Sequence, residues 1–302
     1  MAALLFIALV CGFSFAQTSP VCIAGRDGDD AAYWLNGQRT VLPKARGDAM
    51  AYAIALSGEN IYIAGRDGWI LVYWLNGQRI ELPGAGSGWI SAMTVSGSDV
   101  YITGIDDDNN AVYWLNGRRM VLPSSGRAQT LALAVSGPDV YIAGEDGGNA
   151  VYWLNGERTI LPKAGSSALA HTIAVSGSNV YIAGEDGDDA VYWLNGQRTV
   201  LPKAGSSALA YAIAVSGSDV YITGIDDDNA VYWLNGRRMV LPQSGGFPRA
   251  YGIAIAVSGP DVYIAGEDGD NAVYWLNGQQ TILPKSAYSA CASAIMVTPQ
   301  TK

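Results

Sequence analysis

One pentapeptide, Tyr-Trp-Leu-Asn-Gly, occurs seven times, starting at Tyr33, Tyr73, Tyr113, Tyr152, Tyr192, Tyr232 and Tyr274. Successive starts lie 40, 40, 39, 40, 40 and 42 residues apart. A fixed period of this size makes the chain an array of one structural unit.

Residues 210–241 serve as the model unit. Ala212-Ile213-Ala214-Val215 is a short apolar run, and Ser216-Gly217-Ser218-Asp219 is turn chemistry. Val220-Tyr221-Ile222-Thr223 and Ala230-Val231-Tyr232-Trp233-Leu234 are aromatic and β-branched, so both read as strands. Asn235-Gly236 is a strong hairpin signal, because a type I′ turn needs positive φ at both central residues. Arg237 to Leu241 forms a last strand, stopped by Pro242. No segment has helical period or helix caps.

Each unit is thus four short antiparallel strands, with two apolar faces that it cannot bury alone. Packing such sheets face to face around an axis solves this. The expected fold is all-β: a seven-bladed β-propeller. An open solenoid would need polar end repeats, which are lacking. After the leader, Val21-Cys22-Ile23-Ala24-Gly25 matches the second strand of a unit, and Ala294-Ile295-Met296-Val297 matches the first. The last blade is therefore expected to be shared by strands from both ends. Cys22 and Cys291 both fall in that blade, which suggests a disulfide closing the ring in an oxidising compartment. An ordinary hairpin register would instead set Cys22 opposite Met296.

Residues 1–16, MAALLFIALVCGFSFA, are apolar and end in small residues, as a secretory signal peptide does. The run is short for a membrane span, which needs about 20 residues. Residues 17–302 are then one secreted or extracellular domain. Its charge, −9 over the whole chain, argues against nucleic acid and anionic membranes as partners.

The repeat resembles those of secreted β-propellers with a Tyr-Trp-x-Asn-Gly signature and a Val-Ser-Gly-x-Asp-Val-Tyr segment. The resemblance covers roughly residues 21–297 and implies the architecture, not an activity. The near-identity of the blades is similar in style to propeller lectins, without a shared binding motif.

Invariant positions read as structural, so the seven signature tryptophans read as core. Candidates for function come from elsewhere. The loop after the second strand is acidic in most blades, placing Asp27 and Asp29, Asp106 and Asp108, Asp186 and Asp188, Asp226 and Asp228, and Asp268 and Asp270 at alternate positions. Such carboxylates can converge on Ca²⁺, or simply solvate a hairpin turn. Blade two breaks the pattern with Trp69, and the connection that follows carries Trp89, the two tryptophans outside the signature. An exposed aromatic pair would mark a binding face. A third variable position lies near the central channel, at Tyr52, Ser91, Leu131, His171, Tyr211 and Ser293, with Tyr251 nearby in blade seven.

Nearly every polar residue recurs in several blades, whereas an enzyme needs one asymmetric constellation. The expectation is a non-catalytic binding module, for which carbohydrate is the leading ligand. The alternative is a structural or adhesive protein that self-associates or binds extracellular proteins.

Overall fold

The computed structural model describes residues 20–84, 86–243 and 250–297; the leader, residues 1–16, lies outside the described residues. The described chain forms seven four-stranded antiparallel sheets. Blade five is typical, with strands Ala168–Ser176, Asn179–Asp186, Asp189–Leu194 and Gln197–Val200, innermost first. The innermost strands of successive blades contact one another all the way round, so the sheets close into a ring. Blade one holds the seam. Its inner strand is Ala290–Val297 from the C-terminus, paired with Val21–Asp27, then Asp30–Leu35 and Gln38–Val41.

Every Asn-Gly turn adopts the left-handed geometry that its residues favour. The seven Asn φ values lie between 50° and 52°, and the following Gly values between 79° and 88°. The asparagine has a second task. Its Oδ1 accepts the backbone N–H that opens the second strand of the same blade, as from Val180 to Asn195, at 2.9 Å in all seven blades. Aspartate or glycine would make the turn, but only a neutral side chain with an acceptor and a spare amide also ties the neighbouring corner.

The core lies in the seams between blades. In the seam between blades four and five, Ala143, Ala150 and Leu161 pack against Ala168, Ala170, Ile173, Ile182, Val191 and Trp193. All seven signature tryptophans are buried. Each indole N–H donates to the carbonyl of the Leu-Pro proline of the preceding blade: Trp74 to Pro43, Trp114 to Pro83, Trp153 to Pro123, Trp193 to Pro162, Trp233 to Pro202 and Trp275 to Pro242. Trp34 to Pro284 closes the circuit across the seam at 2.8 Å. The Trp of Tyr-Trp-Leu-Asn-Gly and the Pro that ends the outer strand are thus two halves of one joint.

The inner strand carries a bulge in every blade, in blade five between Ala170 and Thr172. Next to it the second strand needs a glycine. A Cβ on Gly184 would sit 1.9 Å from the Leu169 carbonyl oxygen, which no side chain can accommodate.

The expected disulfide is not formed. Cys22 and Cys291 are both free thiols. The ordinary hairpin register holds: Cys22 pairs with Met296, and Cys291 with Arg26. Four residues at roughly 3.3 Å each separate the two positions along the strand, well beyond the ~7 Å Cα limit for a bridge. Burial pushes the Cys22 thiol up to about 12. The ring is locked by strand pairing and Trp34–Pro284 instead.

Replacing Trp193 by Phe keeps most of the wedge and removes the donor, leaving the Pro162 carbonyl unpaired in the seam. The expected loss is about 1–3 kcal/mol of stability in chemical denaturation. Trp69→Phe, outside the joint, should stay within about 0.5 kcal/mol of the parent.

Candidate binding face

The second strand ends in an aspartate in six blades, Asp27, Asp67, Asp146, Asp186, Asp226 and Asp268, and in blade three Asp106 directly follows the strand; all seven are buried. Among the described residues, the carboxylate accepts backbone N–H groups from the connection that enters its own blade in five of them. Asp67 takes Ala45 and Arg46, Asp146 takes Ser125 and Gly126, Asp186 takes Ala164 and Gly165, Asp226 takes Ala204 and Gly205, and Asp27 takes Ser286 and Ala287. Asp106 instead holds its own turn, through Asp108 and Asn110. An arginine of the outer strand neutralises each: Arg39, Arg79, Arg119, Arg158, Arg198 and Arg238. Blade seven uses Gln280 against Asp268 at 2.9 Å.

Burial pushes the carboxyls of Asp27, Asp67 and Asp186 up, but the backbone N–H bonds and the arginine outweigh it, so each titrates below the usual carboxylate range.

These contacts favour the turn alternative over the calcium one. The first carboxylate of each expected pair, Asp27, Asp106, Asp186, Asp226 and Asp268, is committed to internal partners. The second, Asp29, Asp108, Asp188, Asp228 or Asp270, is exposed. What several of these turns offer a cation is backbone carbonyl, and a protein ammonium takes it. Lys203 Nζ bonds the carbonyls of Asp188 and Ser206, Lys285 those of Asp270 and Tyr288, Lys163 those of Gly148 and Ser166, and Lys44 that of Asp29. Among the described residues only Asp106, Asp107 and Asp108 bring three possible ligand atoms within 4.8 Å, and Asp106 is already paired with Arg119.

The same face carries the channel mouth. The variable position Tyr52, Ser91, Leu131, His171, Tyr211 and Ser293 is the bulged residue of the inner strand in its blade. In blade seven the equivalent is Ile253, not Tyr251: the bulge falls between Gly252 and Ala254, and Tyr251 pairs with Glu267. The Tyr251 side chain lies outside the described parts. Trp89 is also relocated. It opens the inner strand Trp89–Ser96 of blade three rather than lying in the connection before it.

The structure brings Trp89 and Tyr52 together across the blade two–three seam, with ring centroids 4.2 Å apart. Trp89 is 45% exposed and Trp69 is 77% exposed. Trp69 holds the turn position of Asp29, Gly148, Asp188 and Asp270, whose carbonyls bond the first residue of the next inner strand. In blade three the residue at that place is Gly88, beside Trp89, so both tryptophans belong to one end of one seam. His171 meets Tyr211 edge-on at 5.7 Å, and its Nε2 lies 3.7 Å from Glu185. These two clusters sit on different parts of the ring.

A further ring escaped the sequence reading. The residue after the second-strand glycine is Arg26, Arg66, Ile105, Glu145, Glu185, Ile225 or Glu267, and it pairs with the inner strand near the bulge. It is the mouth's charged position, cationic in blades one and two and acidic in four, five and seven. The signal was available: the repeats disagree there in charge, immediately before an aspartate that never varies.

Acid should unfold the protein through the aspartate clamps. A folded pKa below the unfolded value of about 3.9 contributes stability that is complete above that value and is lost as pH falls through the folded one. Thermal midpoints of the parent should therefore drop steeply below about pH 4, and Asp186→Asn should show a lower midpoint at pH 7 and a shallower acid slope.

No protein-family model matches the chain, and no curated protein does. Solved structures do resemble it. The computationally designed Ika8 protein superposes with a TM-score of 0.56 at 18% identity, over 92% of this chain and 90% of that one. Virginiamycin B lyase from Staphylococcus aureus gives 0.57 at 13% identity, over 78% and 84%. A chain of a nidogen/laminin complex gives 0.50 at 12% identity, over 73% and 92%. At these identities the likeness is one of fold, the β-propeller.

Proposed function

We propose that this protein is an extracellular, non-catalytic binding module that holds a carbohydrate at the channel mouth, with Trp69 and Trp89 as the stacking surface and Tyr52 packed against Trp89 beneath it. The observation that carries the reading is the contrast between two classes of tryptophan. Seven are buried and joined to a proline carbonyl, whereas the two outside the repeat are exposed at one end of one seam. Exposed aromatic surface with polar neighbours marks binding sites, and flat indole faces suit the apolar faces of sugar rings. The non-catalytic part rests on His171, whose neighbours are a carboxylate and a phenol ring rather than a serine or cysteine nucleophile.

A second reading has its own observation. The last residue of the outer strand is apolar and exposed in six blades, at Val41, Val121, Ile160, Val200, Val240 and Ile282. A rim with this repeated spot would favour self-association or adhesion.

A glycan array with residues 17–302 separates the two. Selective binding is expected, at least tenfold weaker in Trp89→Ala and Trp69→Ala, and unchanged by chelator because the first carboxylate of each acidic loop is internally committed. An absence of sugar binding together with concentration-dependent assembly in sedimentation, relieved by Val200→Glu, would replace the first reading by the second.

A further inference from the structure

We infer that the sugar is anionic, a uronic acid whose carboxylate seats against Arg26 and Arg66 beside the Tyr52 hydroxyl; the inference rests on the carbohydrate reading above. Among the described residues, eight half-buried arginines line the blades. Six are matched to a buried aspartate. Arg26 and Arg66 are not: neither makes an ion pair among the described residues. Arg66 bonds the Gly68 carbonyl at 3.4 Å and also approaches the Tyr52 hydroxyl. The Nε of both is buried without a hydrogen bond, as it is in Arg39, Arg119, Arg198 and Arg238, so what sets Arg26 and Arg66 apart is the missing carboxylate. Glu267 of blade seven lies close enough to feel Arg26 but does not bond it.

Tyr52 adds a third donor. Its residue is 9% exposed, its hydroxyl is buried and has no hydrogen-bond acceptor, and both arginines lie within electrostatic reach of it. Buried donors without acceptors are rare and call for a partner. Three donors, two of them cationic, call for an anion, and a guanidinium fork suits a carboxylate. The Tyr52 ring packs at a tilt against Trp89, so a pyranose lying on Trp89 would carry a ring carboxylate toward this group. Neutral sugars have no charge to offer it. In a chain of net charge −9, an unmatched pair of arginines on adjacent blades is a local inversion of sign that the fold does not use.

The test is arginine side-chain NMR on residues 17–302 carrying ¹⁵N-arginine and ¹⁵N-tryptophan, titrated with sodium D-glucuronate, with D-glucose and with matched sodium chloride. Arg26→Gln and Arg66→Gln assign the two Nε–Hε signals. The expected result is saturable movement of both with glucuronate and not with glucose, while the Trp69 and Trp89 indole signals move with both sugars. The double variant should bind glucuronate at least tenfold more weakly and glucose as before. If it fails to fold, Arg66→Lys takes its place, with a smaller but definite loss for glucuronate alone. Indole movement with both sugars, and arginine signals that follow chloride alone, would overturn the anionic inference and leave the carbohydrate reading standing. Still indoles with either sugar would overturn both.

Discussion

The bond from a tryptophan indole to the proline carbonyl of the preceding blade is the joint on which the ring depends. A four-stranded sheet of this length has no core of its own. Its apolar faces become a core only when the next sheet lies against them at a fixed distance and angle. Shape alone would allow the blades to slide. The indole N–H removes that freedom, because a buried donor or acceptor left without its partner costs about 1–3 kcal/mol. Repeated seven times, with Trp34 reaching Pro284 across the seam, the joint turns a linear array into a closed one in which each blade has two neighbours. Closure also explains why no disulfide is needed where the ends meet.

The joint divides the molecule into what must repeat and what is free to differ. Tryptophan, the Leu-Pro pair, the Asn-Gly turn, the second-strand glycine and the buried aspartate each answer a geometric demand that recurs in every blade. The aspartate is as structural as the tryptophan. It gathers the N–H groups of an incoming connection and sets the loop at the top of the seam, as Asp186 does for Ala164 and Gly165. Only the bulged residue, its neighbours and the residue after the glycine look into the mouth without belonging to a joint. There the blades diverge, into arginines and aromatics on one side and histidine with glutamates on the other.

Most of this division was legible in the sequence. The turn, the four strands, the shared blade and the buried role of the tryptophans follow from local chemistry and period. The tryptophan's partner did not, since nothing local links Trp193 to Pro162. The internal partners of the acidic loops were not legible for a related reason. A carboxylate in a turn looks solvated until its register shows that it ends a strand and faces an arginine of the outer strand. The pairing was nonetheless written in the repeats, where Asp27 to Asp226 accompany Arg39 to Arg238 and only Asp268 meets a glutamine, Gln280. Trp89 was placed in a connection because inner-strand boundaries depend on pairing rather than propensity. Tyr251 was named near the variable position, and Ile253 missed, because a two-residue insertion hides the bulge.

The most direct test of the account is hydrogen exchange at the seven signature indole N–H groups under native conditions. A closed ring in which one joint recurs predicts slow exchange at all seven, with Trp34 as protected as Trp193 and all seven accelerating together in denaturant. Rapid exchange confined to Trp34, or protection fading from the middle of the chain toward its ends, would show that the ring is open at the seam and that the blades stack as a linear array.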